Sequence, residues 1–356
     1  MKILFASNMY PSEDSPSYGT FVKTNYNHLI NSGFIIDKCV IDKKNKSIFR
    51  KIISYFSFYF DFFKKIRRKE YDLIYIHYLT ITTIPVYICS FFISDIKYVI
   101  NIHGDDLTGT SFLHKMLGFS SKRLLKKSAG IVIPSTHFKK ILNNKFPFLE
   151  LSQKTYIYPS GGVDKIKFKP SNKIIKNKGK KIIFGFLGRI EEGKGWFDLL
   201  SAIEILPKNL NAEFHFYGDG KEILKFNKFV NKMDNKNYIF YHGSVSYDRV
   251  PIVFDSFDFF IFPTHRESLG LVLIESMAMG IPAIVSRIEP LTTIYKNFDN
   301  HFFEKNNPND LSRKIKEFYQ LNDTDYHLMS KKISSESELY DSNLARKQLS
   351  EFLKRI

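Results

Sequence analysis

The sequence has 356 residues, enough for two domains that each bury a core of their own. Hydrophobic residues make up 44% of it and charged residues 25%, which excludes a disordered chain and is typical of a folded protein. The net charge of +17 favours an anionic partner, either nucleic acid or a membrane surface.

The first half of the sequence alternates between apolar strands and helical segments. Residues 2–7 form an apolar run, a helical pattern follows over 20–31, and 34–41 form another strand. Further strands are predicted at 72–77, 97–102, 130–134 and 154–158. Strands that alternate with helices in this way predict a parallel sheet.

A second alternating series follows a break in the pattern. Residues 166–180 lack a sustained apolar face and predict a linker between a first domain, 1–165, and a second, 181–340. The strands of the second domain are predicted at 181–188, 212–217, 237–241, 258–262 and 282–286. A C-terminal helix over 341–356 can cross back to the first domain.

No segment is predicted to direct the chain out of the cytosol or across a membrane. The N-terminus lacks the charged region, long apolar core and cleavage site of a signal peptide. The longest apolar stretch, Leu79–Ser94, contains Pro85 and is shorter than the roughly 20 residues that a spanning helix needs. The two cysteines, Cys39 and Cys89, lie in apolar segments, which argues against a disulfide framework.

Two glutamates eight positions apart, Glu267 and Glu275, lie in the most specific motif, T-H-R-E-S-L-G-L-V-L-I-E at 264–275. The motif follows a predicted strand and opens a predicted helix, which is where open α/β sheets bind ligands. Backbone amides of Ser268, Leu269, Gly270 and Leu271 can receive phosphate or sugar oxygens at the helix N-terminus. Glu275, two turns further along, can reach a ribose.

Two cations lie in a glycine-rich turn, G-F-L-G-R-I-E-E-G-K-G-W at 185–196, between a predicted strand and a helix. Arg189 and Lys194 beside a helix N-terminus are typical of a diphosphate site. A solvated basic turn is the alternative for any isolated arginine and lysine, and the neighbouring glutamates favour the diphosphate site.

With these motifs in this order, the sequence resembles the family 4 glycosyltransferases, a retaining group of the GT-B fold, over nearly its whole length. The two glutamates match the Glu-x7-Glu motif of that family, and Gly188-Arg189 with Lys194-Gly195 matches its cationic turn. Y-G-D-G at 217–220, which contains Gly218, and H-G-S-V at 242–245 match its base-side loops. The segment 10–22, which contains Gly19, and N-I-H-G-D-D at 101–106, which contains His103, match motifs of its first domain.

The resemblance implies an α/β fold of two Rossmann-like domains whose parallel sheets face each other across a cleft. It also implies a nucleotide-sugar donor as substrate. Arg189 and Lys194 would neutralise the diphosphate, and Glu267 would bind hydroxyls of the donor sugar. The remaining implied roles belong to Glu275 at the ribose, backbone near Val245 at the base, Gly19 at the pyrophosphate and His103 at the reacting face.

The sequence departs from the family pattern in two places. Residues 286–290, S-R-I-E-P, lack the Gly-Gly turn that many members carry, and Leu269 replaces the usual phenylalanine before Gly270.

The Asp-x-Asp sequence, Asp323-Thr324-Asp325, lies in the helical tail and is interpreted as a helix cap and surface charge. We therefore expect neither a metal ion nor a cofactor.

A basic and aromatic segment, 43–69, predicts a helix that lies on an anionic membrane. Residues 1–165 carry 24 lysine and arginine residues against 12 acidic ones, and K-R-L-L-K-K at 122–127 adds to the basic character. The aromatic and aliphatic positions are Phe49, Ile52, Ile53, Phe56, Tyr59, Phe60 and Phe63, and the basic end consists of Lys64, Lys65, Arg67 and Arg68. The alternative is an ordinary packed helix with solvated ends.

The prediction from sequence is a cytoplasmic, peripheral glycosyltransferase with a lipid-linked acceptor in surface-polysaccharide assembly. A nucleic-acid-binding protein would explain the charge, but it leaves Arg189, Lys194 and the paired glutamates without a role, so no nucleic acid is expected as partner. A sugar-nucleotide epimerase or a glycogen-synthase-like enzyme on the same fold stays open. The sequence does not choose between UDP and GDP as the nucleotide.

Overall fold

The computed structural model describes residues 1–15, 18–43, 47–93, 96–109, 118–170 and 181–356. They form two compact units, which we call the first unit and the second unit. The first unit comprises Met1–Gly161 together with Asn343–Ile356, and the second unit comprises Gly162–Ser342. Each unit contains a six-stranded sheet and its own buried apolar clusters.

Six parallel strands form the sheet of the first unit: β1 (Lys2–Ser7), β2 (Ile35–Val40), β3 (Leu73–His77), β4 (Tyr98–Asn101), β5 (Gly130–Ile133) and β6 (Thr155–Ile157). Their order across the sheet is β2-β1-β3-β4-β5-β6. The order reverses between β1 and β3, and a crevice forms at such a reversal, outside the carboxyl ends of the strands.

The helices of the first unit are α1 (Thr20–Asn31), α2 (Ile48–Ile66), α3 (Ile84–Phe92), α4 (Asp105–Thr108), α5 (Gly118–Lys127) and α6 (Thr136–Lys145). Helices are needed on both faces because both faces of the sheet are apolar. In β1, Ile3 and Phe5 belong to one buried cluster, whereas Leu4 and Ala6 belong to another.

The sheet of the second unit is also parallel and consists of β7 (Ile182–Leu187), β8 (Ala212–Tyr217), β9 (Ile239–Tyr241), β10 (Phe259–Phe262), β11 (Ala283–Ser286) and β12 (Phe302–Phe303). Their order is β12-β11-β10-β7-β8-β9, which reverses between β10 and β7. The crevice of this sheet is therefore expected beyond the ends of β7 and β10.

The remaining helices are α7 (Trp196–Ile205), α8 (Ile223–Val230), α9 (Val250–Ser256), α10 (Leu271–Ala278), α11 (Leu291–Ile294), α12 (Pro308–Tyr319), α13 (Asp323–Glu336) and α14 (Ser342–Lys354). The last of these, α14, packs in the first unit, where Ala345, Leu349 and Leu353 join the buried cluster of Ile3 and Phe5. None of the helices in the described ranges is long and apolar enough to cross a membrane.

The division of the chain differs from the boundary suggested by the sequence. The units separate at Gly161–Gly162, before the predicted linker at 166–180. Phe168 lies inside that predicted linker, yet it is fully buried in the core of the second unit. Residues 166–170 are therefore part of a folded unit, because an apolar side chain anchors them, and 171–180 lie outside the described residues.

Candidate active site

Two loops meet at the strand reversal of the second sheet: the lysine turn (residues 188–195) after β7 and the glutamate loop (residues 263–270) after β10. The backbone N–H of His265 donates to the carbonyl oxygen of Gly193 at 2.8 Å. Gly195 has a positive φ of 70°, and a Cβ atom at this position would lie 1.8 Å from the carbonyl oxygen of Pro263. Only glycine permits this approach, and it brings the start of α7 against the glutamate loop.

An ion pair joins the two loops. Lys194 Nζ lies 2.6 Å from Glu267 Oε1, and the two side chains are 22% and 14% exposed. The hydroxyl of Thr264, a fully buried residue, lies 3.0 Å from the same carboxylate oxygen. The sequence indicated separate roles for Lys194 and Glu267, whereas in the structure the two residues pair with each other.

Arg189 has a different carboxylate partner. Its Nη1 lies 2.8 Å from Glu191 Oε2 within the lysine turn, and its side chain is 66% exposed. The two predicted diphosphate cations are therefore not equivalent in this structure. Lys194 lies partly buried between the loops, whereas Arg189 is a solvent-exposed cation on one of them.

Backbone contacts join the lysine turn to the two predicted base-side loops. Gly218 N–H donates to the carbonyl oxygen of Gly243 at 2.7 Å, and Gly188 N–H donates to that of Tyr217 at 3.0 Å. A Cβ atom on Gly218 would lie 1.8 Å from the carbonyl oxygen of Gly188. Val245 is partly buried against the apolar core of the second unit. Motifs that are distant in sequence therefore lie side by side at the ends of β7, β8 and β9.

Helix α10 begins immediately after the glutamate loop. Gly270 is its N-cap residue and provides no side-chain hydrogen bond to the first turn. The side chain of Leu269 is buried in the apolar core, and that of Leu271 packs partly buried against it. Together with Ser268, they place the N-terminus of α10 directly after Glu267, where its amides favour negative charge.

Glu275 is buried within α10 and is only 5% exposed. Burial raises its pKa to about 8, although a hydrogen bond with Tyr247 and the charge of Lys167 partly oppose the rise. The Lys167 ammonium also lies 4.1 Å from the centre of the Tyr247 ring. Glu275 is therefore a buried acid with the Tyr247 side chain against it, and not a solvent-exposed residue of the helix surface.

A second contact that the sequence did not predict holds the glutamate loop in place. His265 Nε2 lies 2.7 Å from Asp198 Oδ2, which belongs to the first turn of α7. The only sequence signal was the position of His265 in the motif itself. Because Asp198 is 65 or more positions from any residue of the glutamate loop, spacing alone does not reveal the pair.

In the first unit, His103 lies at the end of a chain of polar side chains. His103 Nε2 lies 2.8 Å from His77 Nδ1, and His77 Nε2 lies 3.1 Å from Asn25 Oδ1. The Tyr75 hydroxyl lies 3.4 Å from Asn25 Nδ2 and 2.9 Å from Asn101 Nδ2. The sequence pointed to His103 alone, although His77 and Asn101 end the two strands β3 and β4.

Asp106 fixes the backbone beside His103. Its buried carboxylate accepts hydrogen bonds from the backbone N–H of His103 at 3.1 Å, Gly104 at 2.8 Å and Leu79 at 3.0 Å. Burial nevertheless raises the pKa of Asp106. Gly19, the other predicted site residue of this unit, is the N-cap residue of α1.

The imidazole of His103 is neutral near pH 7. Burial lowers its pKa from the usual 6.5 to about 3, and burial lowers the pKa of His77 well below its usual range. A neutral imidazole has one donor nitrogen and one acceptor nitrogen. His103 can therefore bind a hydroxyl group, but it does not supply positive charge.

Helix α2 exposes much of the aromatic face that the sequence predicted. The exposed apolar side chains are Ile48, Phe49, Ile52, Ile53, Phe56 and Phe60. Tyr59 and Phe63 instead pack against the apolar core, and the Tyr59 hydroxyl donates to the carbonyl oxygen of Ile81 at 2.9 Å. Both therefore belong to the packed side of the helix. Residues 44–46 of the predicted segment lie outside the described residues.

One of the four predicted membrane-docking cations already forms ion pairs within the first unit. Lys65 is 15% exposed and forms ion pairs with Asp61 at 3.0 Å and Asp37 at 3.3 Å. Its position on the buried side of α2 makes it a structural residue. Lys64, Arg67 and Arg68 are exposed.

The exposed apolar surface continues onto α3, which contacts both α2 and α5. Phe91 is 55% exposed and Phe92 is 84% exposed. The guanidinium of Arg123 lies 4.3 Å from the centre of the Phe91 ring, while Lys122, Lys126 and Lys127 are exposed on α5. We call the exposed apolar residues of α2 and α3 with these cations the basic-aromatic surface.

Within the part of the chain that the structure describes, no group of three or more histidine, cysteine, aspartate or glutamate side chains is arranged to hold a metal ion. Asp323 and Asp325 lie in the first turn of α13, where Asn322 is the capping residue and accepts a hydrogen bond from the backbone of Asp325 at 2.9 Å. The N-cap residue is therefore Asn322, one residue before the predicted Asp323.

Residues 168–334 match the family model described as Glycosyl transferases group 1, and this segment contains both the lysine turn and the glutamate loop. An uncharacterized glycosyltransferase of Methanocaldococcus jannaschii is 34% identical over 148 residues, 41% of this chain and 41% of that protein. The capsular polysaccharide biosynthesis glycosyltransferase CapM of Staphylococcus aureus is 26% identical over 169 residues, 44% of this chain and 43% of that protein. The matches thus span about two fifths of the length of these relatives.

Solved structures resemble the whole chain. The crystal structure of Anabaena HepE in complex with UDP covers 100% of both chains, with a TM-score of 0.78 and 16% identity. The same protein in complex with UDP-glucose gives a TM-score of 0.76. At this identity the likeness shows the fold, and the α/β, two-domain GT-B fold predicted from the sequence is confirmed.

Proposed function

Starting from a GT-B fold and a match to the group 1 glycosyltransferases, we propose that this protein is a retaining glycosyltransferase. Its donor is a UDP- or GDP-linked sugar, and its acceptor is a lipid-linked saccharide in the assembly of an O-antigen, capsule or similar surface polysaccharide. The nucleotide-sugar is a substrate, and no cofactor or metal is proposed. The Lys194–Glu267 pair between two loops at the strand reversal carries the proposal.

The ion pair provides both halves of a donor site. A diphosphate that enters the crevice competes with Glu267 for the ammonium group of Lys194. Once Lys194 binds the phosphate, the Glu267 carboxylate is free to accept hydrogen bonds from sugar hydroxyls, while Thr264 continues to hold one of its oxygens. Arg189 supplies a second, exposed cation. The pair therefore keeps each charge compensated until the donor arrives.

The transfer itself needs stabilisation of the leaving diphosphate. The bond between the anomeric carbon and the phosphate oxygen breaks, a bond to the acceptor oxygen forms on the same face, and the acceptor proton leaves with the diphosphate. Lys194 and the amides at the N-terminus of α10 stabilise the developing negative charge. Glu275 binds the ribose, for which the hydroxyl of Tyr247 must first release the carboxyl group.

The acceptor proposal rests on the basic-aromatic surface of the first unit. Exposed phenylalanines on α2 and α3 lie among exposed lysine and arginine side chains, as on proteins that dock on anionic lipid surfaces. We propose that this surface docks the enzyme on the cytoplasmic face of the cell membrane. No nucleic acid is proposed as a partner.

A donor screen tests the proposed activity. Purified protein is incubated with UDP- and GDP-linked sugars and a lipid-linked saccharide fraction, and release of UDP or GDP is measured. We expect acceptor-dependent release of one nucleotide and a product that keeps the anomeric configuration of the donor, read by proton NMR. An epimerised donor without transfer would indicate the epimerase alternative, and the absence of any turnover would contradict the proposal.

Vesicle sedimentation tests the docking proposal. Wild-type protein should sediment with phosphatidylglycerol-containing vesicles at low salt, and the triple variant Lys64→Ser, Arg67→Ser, Arg68→Ser should bind much more weakly, since each cation contributes about 1 kcal/mol. Lys65→Ser is the matched control, because Lys65 is already paired. Equal loss of binding in the control, or no binding by the wild type, would contradict docking through this surface.

A further inference from the structure

A line of hydrogen bonds connects His103 to the interior of the first unit. It begins at the partly exposed ring of His103, passes through the fully buried His77 and ends at the buried amide of Asn25. His77 and Asn25 lie in β3 and α1, two elements with their own packing contacts. The ring of His103 is therefore held by groups that do not themselves reach solvent.

The partners determine where the protons lie. Asn25 presents its carbonyl oxygen to His77, so Nε2 of His77 carries a proton and donates it. A neutral imidazole has one proton, so Nδ1 of His77 accepts a hydrogen bond, and Nε2 of His103 is the donor. Nδ1 of His103 is then unprotonated, and among the described residues no group binds to it.

Packing prevents the ring from turning over. The rings of His77 and His103 are stacked, with centroids 5.0 Å apart and planes inclined by 6°. Phe21 and Tyr78 contact the ring of His103 with centroid distances of 4.8 and 4.7 Å. The backbone of His103 is anchored by Asp106. A flip of the imidazole would break the hydrogen bond to His77, which is fully buried.

We propose that His77 is a positioning residue that fixes the Nε2–H tautomer of His103, so that Nδ1 of His103 accepts a hydrogen bond from a sugar hydroxyl. The proposal rests on the proposed glycosyltransferase function and deepens it. His103 then recognises a hydroxyl that donates, and it neither gives a proton to the substrate nor binds a phosphate oxygen. Burial keeps both imidazoles neutral, which preserves this direction of hydrogen bonding.

Two-bond proton–nitrogen correlation spectra of the ring nitrogens test the proposal in the wild-type protein. We expect Nε2 of both His77 and His103 to be protonated at pH 7 and Nδ1 of both to be unprotonated. A proton on Nδ1 of His103, or a doubly protonated ring, would overturn the proposal. This readout requires no donor or acceptor.

Variants connect the tautomer to activity. His77→Phe keeps an aromatic ring but removes the acceptor, so His103 should populate both tautomers, and the kcat/KM of transfer should fall about tenfold, as for the loss of one hydrogen bond. Asn25→Asp keeps an acceptor oxygen and should retain the wild-type tautomer. His301→Phe, which removes a 4% exposed histidine of the second unit, is the control for losing a buried imidazole and should leave both readouts unchanged.

The two proposals fail in different ways. The expected tautomer in a protein that transfers no sugar would leave the inference standing and contradict the proposed function. Active transfer with a proton on Nδ1 of His103, or with unchanged tautomer and kinetics in His77→Phe, would contradict the inference alone.

Discussion

The candidate sites of the two units use opposite electrostatic designs. In the second unit, Lys194 and Glu267 are oppositely charged and partly exposed, and the loops that hold them consist of consecutive residues. In the first unit, His77 and His103 are neutral, and the groups that orient them come from separate strands and helices. On the proposed function, the second unit would supply the charge that a diphosphate needs, and the first unit would supply directed hydrogen bonds.

The largest expected effect comes from removing the positive charge of Lys194 in the second unit. Lys194→Ala should lower transfer turnover by at least about tenfold, because the loss of a transition-state charge contact costs more than about 1.4 kcal/mol. Lys208→Ala is the matched control, since Lys208 forms a 2.8 Å ion pair with Asp234 at the surface of the same unit. Wild-type turnover in a folded Lys194→Ala variant would remove Lys194 from the site.

A second prediction concerns the buried acid of the charged unit. The folded pKa of Glu275, about 8, lies above the usual 4.5, so its stabilising contribution is complete below pH 4.5 and is lost as the pH rises through 8. Glu275→Gln should therefore be more stable than the wild type at pH 9, by roughly 2–4 kcal/mol, and nearly equal at pH 4.5. Nucleotide affinity should fall about tenfold.

Thermal unfolding at both pH values, together with calorimetric titration of UDP and GDP, measures the effect of Glu275→Gln. A variant that is less stable than the wild type at pH 9 would show that Glu275 is charged and favourably paired in the folded protein. Unchanged nucleotide affinity would remove Glu275 from the ribose site.

The neutral unit should be the more sensitive to acid. His28, His77 and His103 all have pKa values lowered by burial, to about 4 for His28 and about 3 for His103. Such groups stabilise the fold above pH 6.5, and this stability is lost as the pH falls toward their pKa values in the folded state. Among the described residues of the second unit, His301 has a comparably low pKa, about 4.

Acid titration can follow the two units separately, because the only tryptophan, Trp196, lies in the second unit. We expect part of the far-ultraviolet circular dichroism to be lost near pH 4.5 while the fluorescence of Trp196 still reports a native environment. Coincident transitions of the two signals would contradict a difference in acid stability between the units.

The smallest expected effect is that of metal removal. If Lys194 and the N-terminus of α10 provide the positive charge at the diphosphate, transfer should continue at the same rate in excess EDTA. Loss of activity that manganese restores would show that the charged unit depends on a cation as well.

The sequence indicates more of the candidate site in the second unit than in the first, because a local pattern predicts local structure but not long-range contacts. The strands were predictable because apolar runs bounded by turns are local, and β1 and β8 have the predicted bounds of 2–7 and 212–217. The candidate residues of the second site, Arg189, Lys194, Glu267 and Glu275, could be named from the sequence because they lie in short motifs. The identity of ionic partners could not be predicted, since Lys194–Glu267 joins residues 73 positions apart.

Long-range contacts explain what the sequence missed. The line from Asn25 through His77 to His103 depends on the pairing of β3 with β4 and on the packing of α1 against them, which no local pattern encodes. Lys65 resembles its neighbours Lys64 and Arg67 in sequence, but the helix turns it toward Asp37 of β2. Phe168 reads as part of a polar linker because its burial arises only from the folded second unit.

We propose that the Lys194–Glu267 pair of the second unit opens to bind a nucleoside diphosphate. Calorimetric titration of UDP and GDP into wild type, Lys194→Ala and Lys208→Ala tests it most directly. We predict that one nucleotide binds the wild type and Lys208→Ala equally and binds Lys194→Ala at least about tenfold more weakly. The absence of binding by either nucleotide, or equal affinity for Lys194→Ala and the wild type, would contradict the claim.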